Sequence, residues 1–303
     1  MPAERLSGSD VCAIAVTFHP DREFATRIAR VLKQVGGLVI VDNGSMETER
    51  QWLRELAEDN GITIVLNLDN MGVASALNTG IQCAATRGFT WMLLLDQDSS
   101  VDEGMVQELL AVRQAYPDKE KIAVIGSGFR DVNKEAGREI AELGVVTWEE
   151  VKHVITSGSL IPLSVHGEVG PFREEFFIDY VDMEYCYRAK AKGFRILKTR
   201  KQLMSHAIGA YTKHRWLWKT KWTSNHSPDR RYYIARNDTV MLREYGNYRV
   251  GLWRLKSFHR CFKLCKRIAL YERQKKAKIV AVVQGWWDGI HGHLGPRGSR
   301  WSA

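Results

Sequence analysis

The sequence predicts an α/β fold built on a mainly parallel sheet, and three observations carry that prediction. Short apolar, β-branched runs recur through the first half of the chain, the stretches between them hold apolar residues at helical spacing, and polar residues stand where each run ends. Alternating strand and helix puts helices on both faces of a parallel sheet. Ligands of such sheets bind beyond the carboxyl ends of the strands.

The runs are VCAIAVTF (11–18), LVIVD (38–42), ITIVL (62–66), WMLLLD (91–96) and IAVIG (122–126). Between the first two, Phe24, Ile28, Val31, Leu32 and Val35 recur at helical spacing, and residues 72–88 predict a second helix rich in small residues. The runs end in Thr17-Phe18-His19-Pro20, Asp42-Asn43-Gly44-Ser45, Asn67 to Gly72, and Asp96-Gln97-Asp98. Asp42 is suited to accept from the imide N–H of a pyrimidine; Asp42 to Ser45 also reads as a turn or helix N-cap. Asp96 and Asp98, two apart on an extended segment, are expected to point the same way. Two carboxylates so placed repel each other but suit a hard divalent cation.

No GxGxxG follows the first run and no GxxxxGK[ST] occurs, which disfavours dinucleotide oxidoreductases and P-loop enzymes. A nucleoside diphosphate bound without a glycine cradle needs another neutralising group, and a cation on Asp96 and Asp98 supplies one. Further on, TSGSLIP (156–162) sets Gly158 between small hydroxyl residues, suited to close approach of a ligand to the backbone. Residues 170–196 place Asp179, Asp182 and Glu184 around the start of a helix that runs to Gly193. Helix capping accounts for one acid there, less well for three.

At 303 residues the chain has ample core for one large domain or two modest ones. The five cysteines are scattered, which argues against a disulfide framework or a zinc site. MPAERLSGSDVC lacks a signal-peptide pattern, and no apolar stretch is long enough to span a bilayer. Charge is unevenly spread: residues 1–186 hold 16 Lys and Arg against 30 Asp and Glu, and residues 187–303 hold 28 against 5. A basic half points to nucleic acid, anionic lipid or a phosphorylated substrate. Within 249–278, Leu255, Phe258, Phe262, Cys265 and Ala269 form an apolar stripe flanked by Lys and Arg. Such a helix lies in the headgroup plane of an anionic membrane, or packs its stripe on the rest of the protein. In the first case, removing 246–303 is expected to abolish membrane attachment and leave the remainder folded.

VTFHP, VDNGS, NMGVASALNTG, LLLDQDS, TSG and FIDYVDMEYCYRAKAKG occur in an order that resembles inverting glycosyltransferases of family 2, with a GT-A fold. SHAIG (205–209) and RRYYIARN (230–237) make the chain similar to bacterial rhamnosyltransferases of that family. The likeness covers about residues 11–240. It implies a GT-A domain over 1–240, a Rossmann-like mainly parallel sheet, followed by a basic helical region over 241–303. Thr17, Asp42, Asn43, Asn70, Gly72, Asn78 and Asp96 would bind the donor nucleotide. Asp96, Asp98 and His206 would hold Mg²⁺ or Mn²⁺. Asp182 would be the general base, with Asp179 the alternative because Val181 replaces the family's usual glutamate. Ser157, Gly158, Arg230, Arg231, Tyr233 and Arg236 would lie near the acceptor and diphosphate.

The implied reaction moves L-rhamnose from dTDP-β-L-rhamnose to a lipid-linked saccharide of a surface polysaccharide of O-antigen type, peripherally on the cytoplasmic face of the inner membrane. A glycolipid acceptor or another sugar are the alternatives within the family. A metal-dependent nucleic-acid-binding protein is the alternative outside it. Nucleic acid is not the expected partner, because the acidic cluster would repel a phosphate backbone.

Overall fold

The computed structural model describes residues 6–131, 146–206, 212–216, 219–246 and 251–298, with backbone alone for 131, 206, 212–216 and 219–222. Contacts divide the chain into two compact units, the first formed by the segment up to Phe172 with Tyr185–His206, the second by Arg173–Glu184 with the chain from 207 onward. The boundary expected at residue 240 falls inside a helix, Pro228–Tyr245. The helix backbone is continuous through that position.

The first unit runs β1 (Val11–Thr17), α1 (Phe24–Leu32), β2 (Gly37–Asn43), α2 (Glu47–Asn60), β3 (Thr63–Asn67), α3 (Val73–Thr86), β4 (Trp91–Asp96) and β5 (Ser100–Val101). It continues with α4 (Met105–Ala115), β6 (Ile122–Asp131), β7 (Trp148–Glu150), β8 (Ser159–Pro162), α5 (Leu163–Val169), most of α6 (Val181–Ala191) and β9 (Arg195–His206). The sheet order is β3-β2-β1-β4-β8-β6-β9-β5, with β7 also paired to β9. All five apolar runs are strands. β1 to β4 pair in parallel, while β8 enters antiparallel between β4 and β6.

The strands form where the sequence buries both faces. Val39, Ile40 and Val41 in β2 and Met92, Leu93 and Leu94 in β4 are closed off from solvent. Phe24, Ile28 and Val31 turn α1 onto the sheet, and α3 uses Ala74, Ala76, Gly80 and Ala84 to approach it closely. That approach is tight: a Cβ at Gly80 would meet Ile14 Cγ2 at 2.4 Å.

The second unit contains the start of α6, a hairpin of β10 (Thr212–Trp216) and β11 (Lys219–Thr223), and three helices, α7 (Pro228–Tyr245), α8 (Leu252–Tyr271) and α9 (Lys275–His291). Ser227 caps α7, its Oγ accepting from Arg230 N at 3.3 Å, and Pro228 follows at the first helical position. Ala235 of α7, Ile268 of α8 and Val282 of α9 form one small core, and Tyr232, Tyr233 and Ala281 another. The helix that carries the expected stripe ends at Tyr271, and α9 begins at Lys275. On α8 the inward face is Ser257, Cys261, Leu264, Cys265 and Ile268. Cys265 therefore leaves the expected stripe, whereas Leu255, Phe258 and Phe262 stand in solvent. Among the described residues no helix is long and apolar enough to cross a membrane.

Candidate active site

Register brings the polar strand ends of the first unit to one edge. Thr17 lies opposite Asp42, Val16 opposite Asp96, and Asn43 opposite Asn67. Thr17 Oγ1 donates to Asp42 Oδ1 at 2.9 Å, Ser45 Oγ donates to the same oxygen at 2.5 Å, and Ser45 N donates to Oδ2 at 2.9 Å. Asp42 is fully buried. Its carboxylate is spent inside the protein, so the structure does not present it for direct contact with a base. The turn reading of Asp42 to Ser45 describes it better, since its bonds shape the loop after β2.

Asn43, Asn67 and Asn70 form an amide chain beside that loop. Asn43 Nδ2 donates to Asn70 Oδ1 at 2.9 Å, and Asn67 Nδ2 and Met71 N donate to Asn43 Oδ1 at 3.2 and 3.1 Å. Asn70 Oδ1 also accepts from Gly72 N at 3.0 Å, where the chain turns into α3. Asn78 is placed differently. Its amide exchanges two 2.9 Å bonds with the main chain of Phe172, a tether between α3 and the segment after α5.

β4 stops at Asp96, and residues 97 and 98 form a turn closed by Ser99 N donating to Asp96 O at 3.2 Å. The strand alternation that was to align the two acids therefore does not extend to Asp98. Asp96 is half-buried and Asp98 exposed. Gln97 spans to the end of β1, accepting from Phe18 N at 2.7 Å and donating to Phe18 O at 3.1 Å. Behind the turn, Ser157 Oγ accepts from Asp96 N at 3.1 Å and donates to Ser99 Oγ at 2.7 Å. Gly158 has φ +76°, and a Cβ there would meet Met204 Sδ at 2.5 Å. The left-handed backbone alone favours glycine at that position. Ser45, Gln97 and Ser99 were not singled out from the sequence; the one signal was Gln97's place between two acids.

His206 ends β9, one residue beyond the Ser100–Ser205 pair, so its backbone lies next to this turn. Its side chain is outside the described residues, as is most of SHAIG. Among the described residues no group of three or more His, Cys, Asp or Glu could hold a metal ion. Two hard carboxylates fit a cation of the Mg²⁺ type, which keeps most of its coordination for water and substrate phosphates.

In the second unit, Phe177, Asp179 and Tyr180 all have φ between 62° and 65°. Non-glycine residues there cost about 1–3 kcal/mol each and persist only where their surroundings impose them. α7 imposes them. Asn237 Nδ2 donates to the carbonyls of Phe176, Ile178 and Asp179 at 3.0, 2.9 and 2.8 Å, and Arg236 Nη2 to those of Glu175 and Phe176 at 2.8 and 2.9 Å. Phe177 stacks on Tyr233 with centroids 4.9 Å apart, and Tyr180 Oη donates to Asp238 Oδ1 at 3.0 Å.

Asp179 is held by Arg230 through Nε and Nη2 at 3.1–3.3 Å. Burial pushes its carboxyl above the usual range, with Arg230 opposing the shift. Asp182, in the first turn of α6, is half-buried, and its Oδ1 accepts from Met183 N at 2.7 Å. Glu184 is buried and accepts from Tyr245 Oη at 2.7 Å. Arg231 and Arg236 are also fully buried, Arg231 paired with Glu272. Two of the three arginines expected near an acceptor are therefore buried within the second unit.

A model described as Glycosyl transferase family 2 matches residues 16–171, just over half of the chain. The dTDP-rhamnosyl transferase RfbF of Shigella flexneri is 29% identical over 251 residues, covering 78% of this chain and 81% of that protein. The low-salt glycan biosynthesis hexosyltransferase Agl10 of Haloferax volcanii is 24% identical over 203 residues, 62% of this chain and 64% of that one. Among solved structures, S. aureus TarS 1-349 in complex with UDP-GlcNAc superposes with TM-score 0.55 at 13% identity, over 92% of this chain and 81% of that chain. The mannosyltransferase PcManGT from Pyrobaculum calidifontis, in complex with GDP-Man and Mn²⁺, gives TM-score 0.55 at 12% identity, over 96% and 76%. Of a longer TarS chain this one spans 44%, with TM-score 0.51 at 14% identity. These structural likenesses establish the fold, which is GT-A. With the family model running from the end of β1 through the Asp96–Ser99 turn to the Asn78–Phe172 tether, the chain belongs to glycosyl transferase family 2.

Proposed function

We propose that the protein transfers L-rhamnose from dTDP-β-L-rhamnose to a hydroxyl of a lipid-linked saccharide, in surface-polysaccharide synthesis of the O-antigen type. The observation that carries this reading is the Asp96–Gln97–Asp98 turn, aligned by register with Thr17 and Asp42 at one sheet edge. The name of the Shigella flexneri relative supports the sugar. A lipid-linked acceptor would place the work at the cytoplasmic face of the inner membrane.

Asp96 and Asp98 would hold Mg²⁺ or Mn²⁺, which when bound stabilises the charge left on the departing diphosphate. Thr17, Asp42 and Ser45 shape the loop that receives the nucleotide, with the Asn43–Asn70 pair fixing its neighbour. Asp182 takes the proton from the acceptor hydroxyl, a role worth about 10²–10⁴-fold. One displacement without a covalent enzyme intermediate inverts the anomeric centre and yields an α-L-rhamnoside. Asp179 suits the role less well, because Arg230 occupies its carboxylate. The test is turnover of dTDP-rhamnose against UDP-glucose with a panel of lipid-linked acceptors. Rhamnosyl transfer to one of them is expected; preference for UDP-glucose would overturn the sugar assignment while leaving the family intact.

A further inference from the structure

We infer that the outward face of α8 is a seat for an anionic lipid bilayer. Leu255, Phe258 and Phe262 are 67%, 56% and 61% exposed, and Leu252 stands one turn earlier on the same helix. Positions spaced by three and four share one helical face. The inward face is already satisfied by Ser257, Leu264 and Ile268, so this stripe is surplus to the core of its unit. Large apolar side chains grouped in water mark an interaction surface.

Charge identifies the partner. Arg254, Lys256, Arg260, Lys263, Lys266 and Arg267 flank the stripe, and α8 contains no Asp or Glu. Residues 251–298 contain only two acids, Glu272 and Asp288, and both are buried. Glu272 is paired with Arg231 and Lys278, and Asp288 accepts from Tyr232 Oη at 2.7 Å. The ionic charge this segment shows to solvent is therefore positive throughout. A bilayer with anionic headgroups meets both features at once, phosphates against the Lys and Arg and acyl chains against the Leu and Phe. Nucleic acid would use the charge and leave the apolar side chains in water. A second copy would bury the stripe but oppose two like-charged faces.

This surface stands on α8 alone and does not depend on the donor or sugar assignment. The full chain is mixed with phosphatidylglycerol–phosphatidylcholine vesicles and with phosphatidylcholine vesicles, and the bound fraction is read by co-sedimentation across a salt series. Binding to the anionic vesicles at low salt, weakening as salt screens the charges, is expected. The variant Leu255→Glu/Phe258→Glu/Phe262→Glu should lower partitioning at least about tenfold, since it loses apolar burial and adds repulsion. Lys256→Glu/Lys263→Glu/Lys266→Glu should lose the preference for anionic over neutral vesicles. Both change exposed side chains, and circular dichroism with calorimetric binding of dTDP-rhamnose checks that each remains folded. Three outcomes would overturn the proposal: no binding to anionic vesicles at low salt, equal binding by wild type and both variants, or a dimer in solution abolished by the apolar variant without vesicle binding. A failed donor measurement with intact vesicle binding would strike only the proposed function.

Discussion

Asp179 and Asp182 lie three residues apart, and under the proposed function only Asp182 takes the acceptor proton. Arg230 already holds Asp179, while Asp182 stands half-buried at the head of α6. Asp182→Asn keeps the shape and removes the basicity, so transfer should fall by about two to four decades with donor affinity retained. Asp179→Asn should cost less and act through a loosened loop. If Asp179→Asn abolishes transfer and Asp182→Asn barely slows it, the base is Asp179. Asn237 holds the loop before α6, and no local pattern advertises this, because its three carbonyl partners lie about 60 residues earlier in the chain. Asn237→Ala should free the loop, cost about 1–3 kcal/mol of stability, and lower kcat with little change in donor KM. An unchanged kcat in a folded variant would remove Asn237 from the positioning of Asp182.

Elements were legible where burial and composition agree. β1, β2 and β4 read as apolar runs because both of their faces are covered, and Phe24, Ile28 and Val31 marked α1. α2 is hard to read because only Leu53 and Ala57 of its fourteen residues are fully buried. β9 is disguised by RILKTRKQ, whose basic residues suggest a solvated face although Ile196, Leu197 and Thr199 are buried. At the site, acids were expected to face ligand, yet Asp42 is turned inward by Thr17 and Ser45, which strand spacing alone does not reveal. The end of β4 carries the metal prediction. Donor turnover should require Mg²⁺ or Mn²⁺, and Asp98→Ala should weaken cation-dependent donor binding in calorimetry; full activity in EDTA would contradict this. The α5–α6 contact carries a pH prediction. His166 packs against Tyr185 and Phe172, and burial, aided by Arg188, pushes its ring down to about 4 from 6.5. The unfolded chain therefore binds more protons between those values, so stability present above about pH 6.5 is lost as pH falls toward 4. Urea denaturation across that range should show the loss, and His166→Gln should flatten it.

At the scale of the molecule, the basic C-terminal region is part of a packed unit, which changes what its removal would do. Tyr232 Oη donates to Asp288 Oδ2, Arg236 donates to Gly295 O, and a Cβ at Gly285 would lie 2.1 Å from Tyr232 O. α7 and α9 are thus in backbone contact, and cutting at residue 246 would expose the buried face of α7. The expectation that the remainder stays folded without 246–303 gives way to the opposite one: proteolysis should find α7 in the shortened chain and spare it in the full one. A single substitution tests the same dependence without deletion. Glu272, itself buried, joins Arg231 to Lys278, with Lys278 Nζ at 3.1 Å, and both cations are buried as well. Burial already disfavours the charged form of Arg231, and the Glu272 carboxylate is the chief opposing influence. Glu272→Gln leaves two enclosed cations without their counter-charge, a change that costs about 3–5 kcal/mol when a buried pair is broken. The surface pair Arg54–Glu47 is the control, since removing the exposed Glu47 should leave stability nearly unchanged. If urea denaturation finds the two substitutions equally mild, α9 is dispensable to its unit and α7 stands without it.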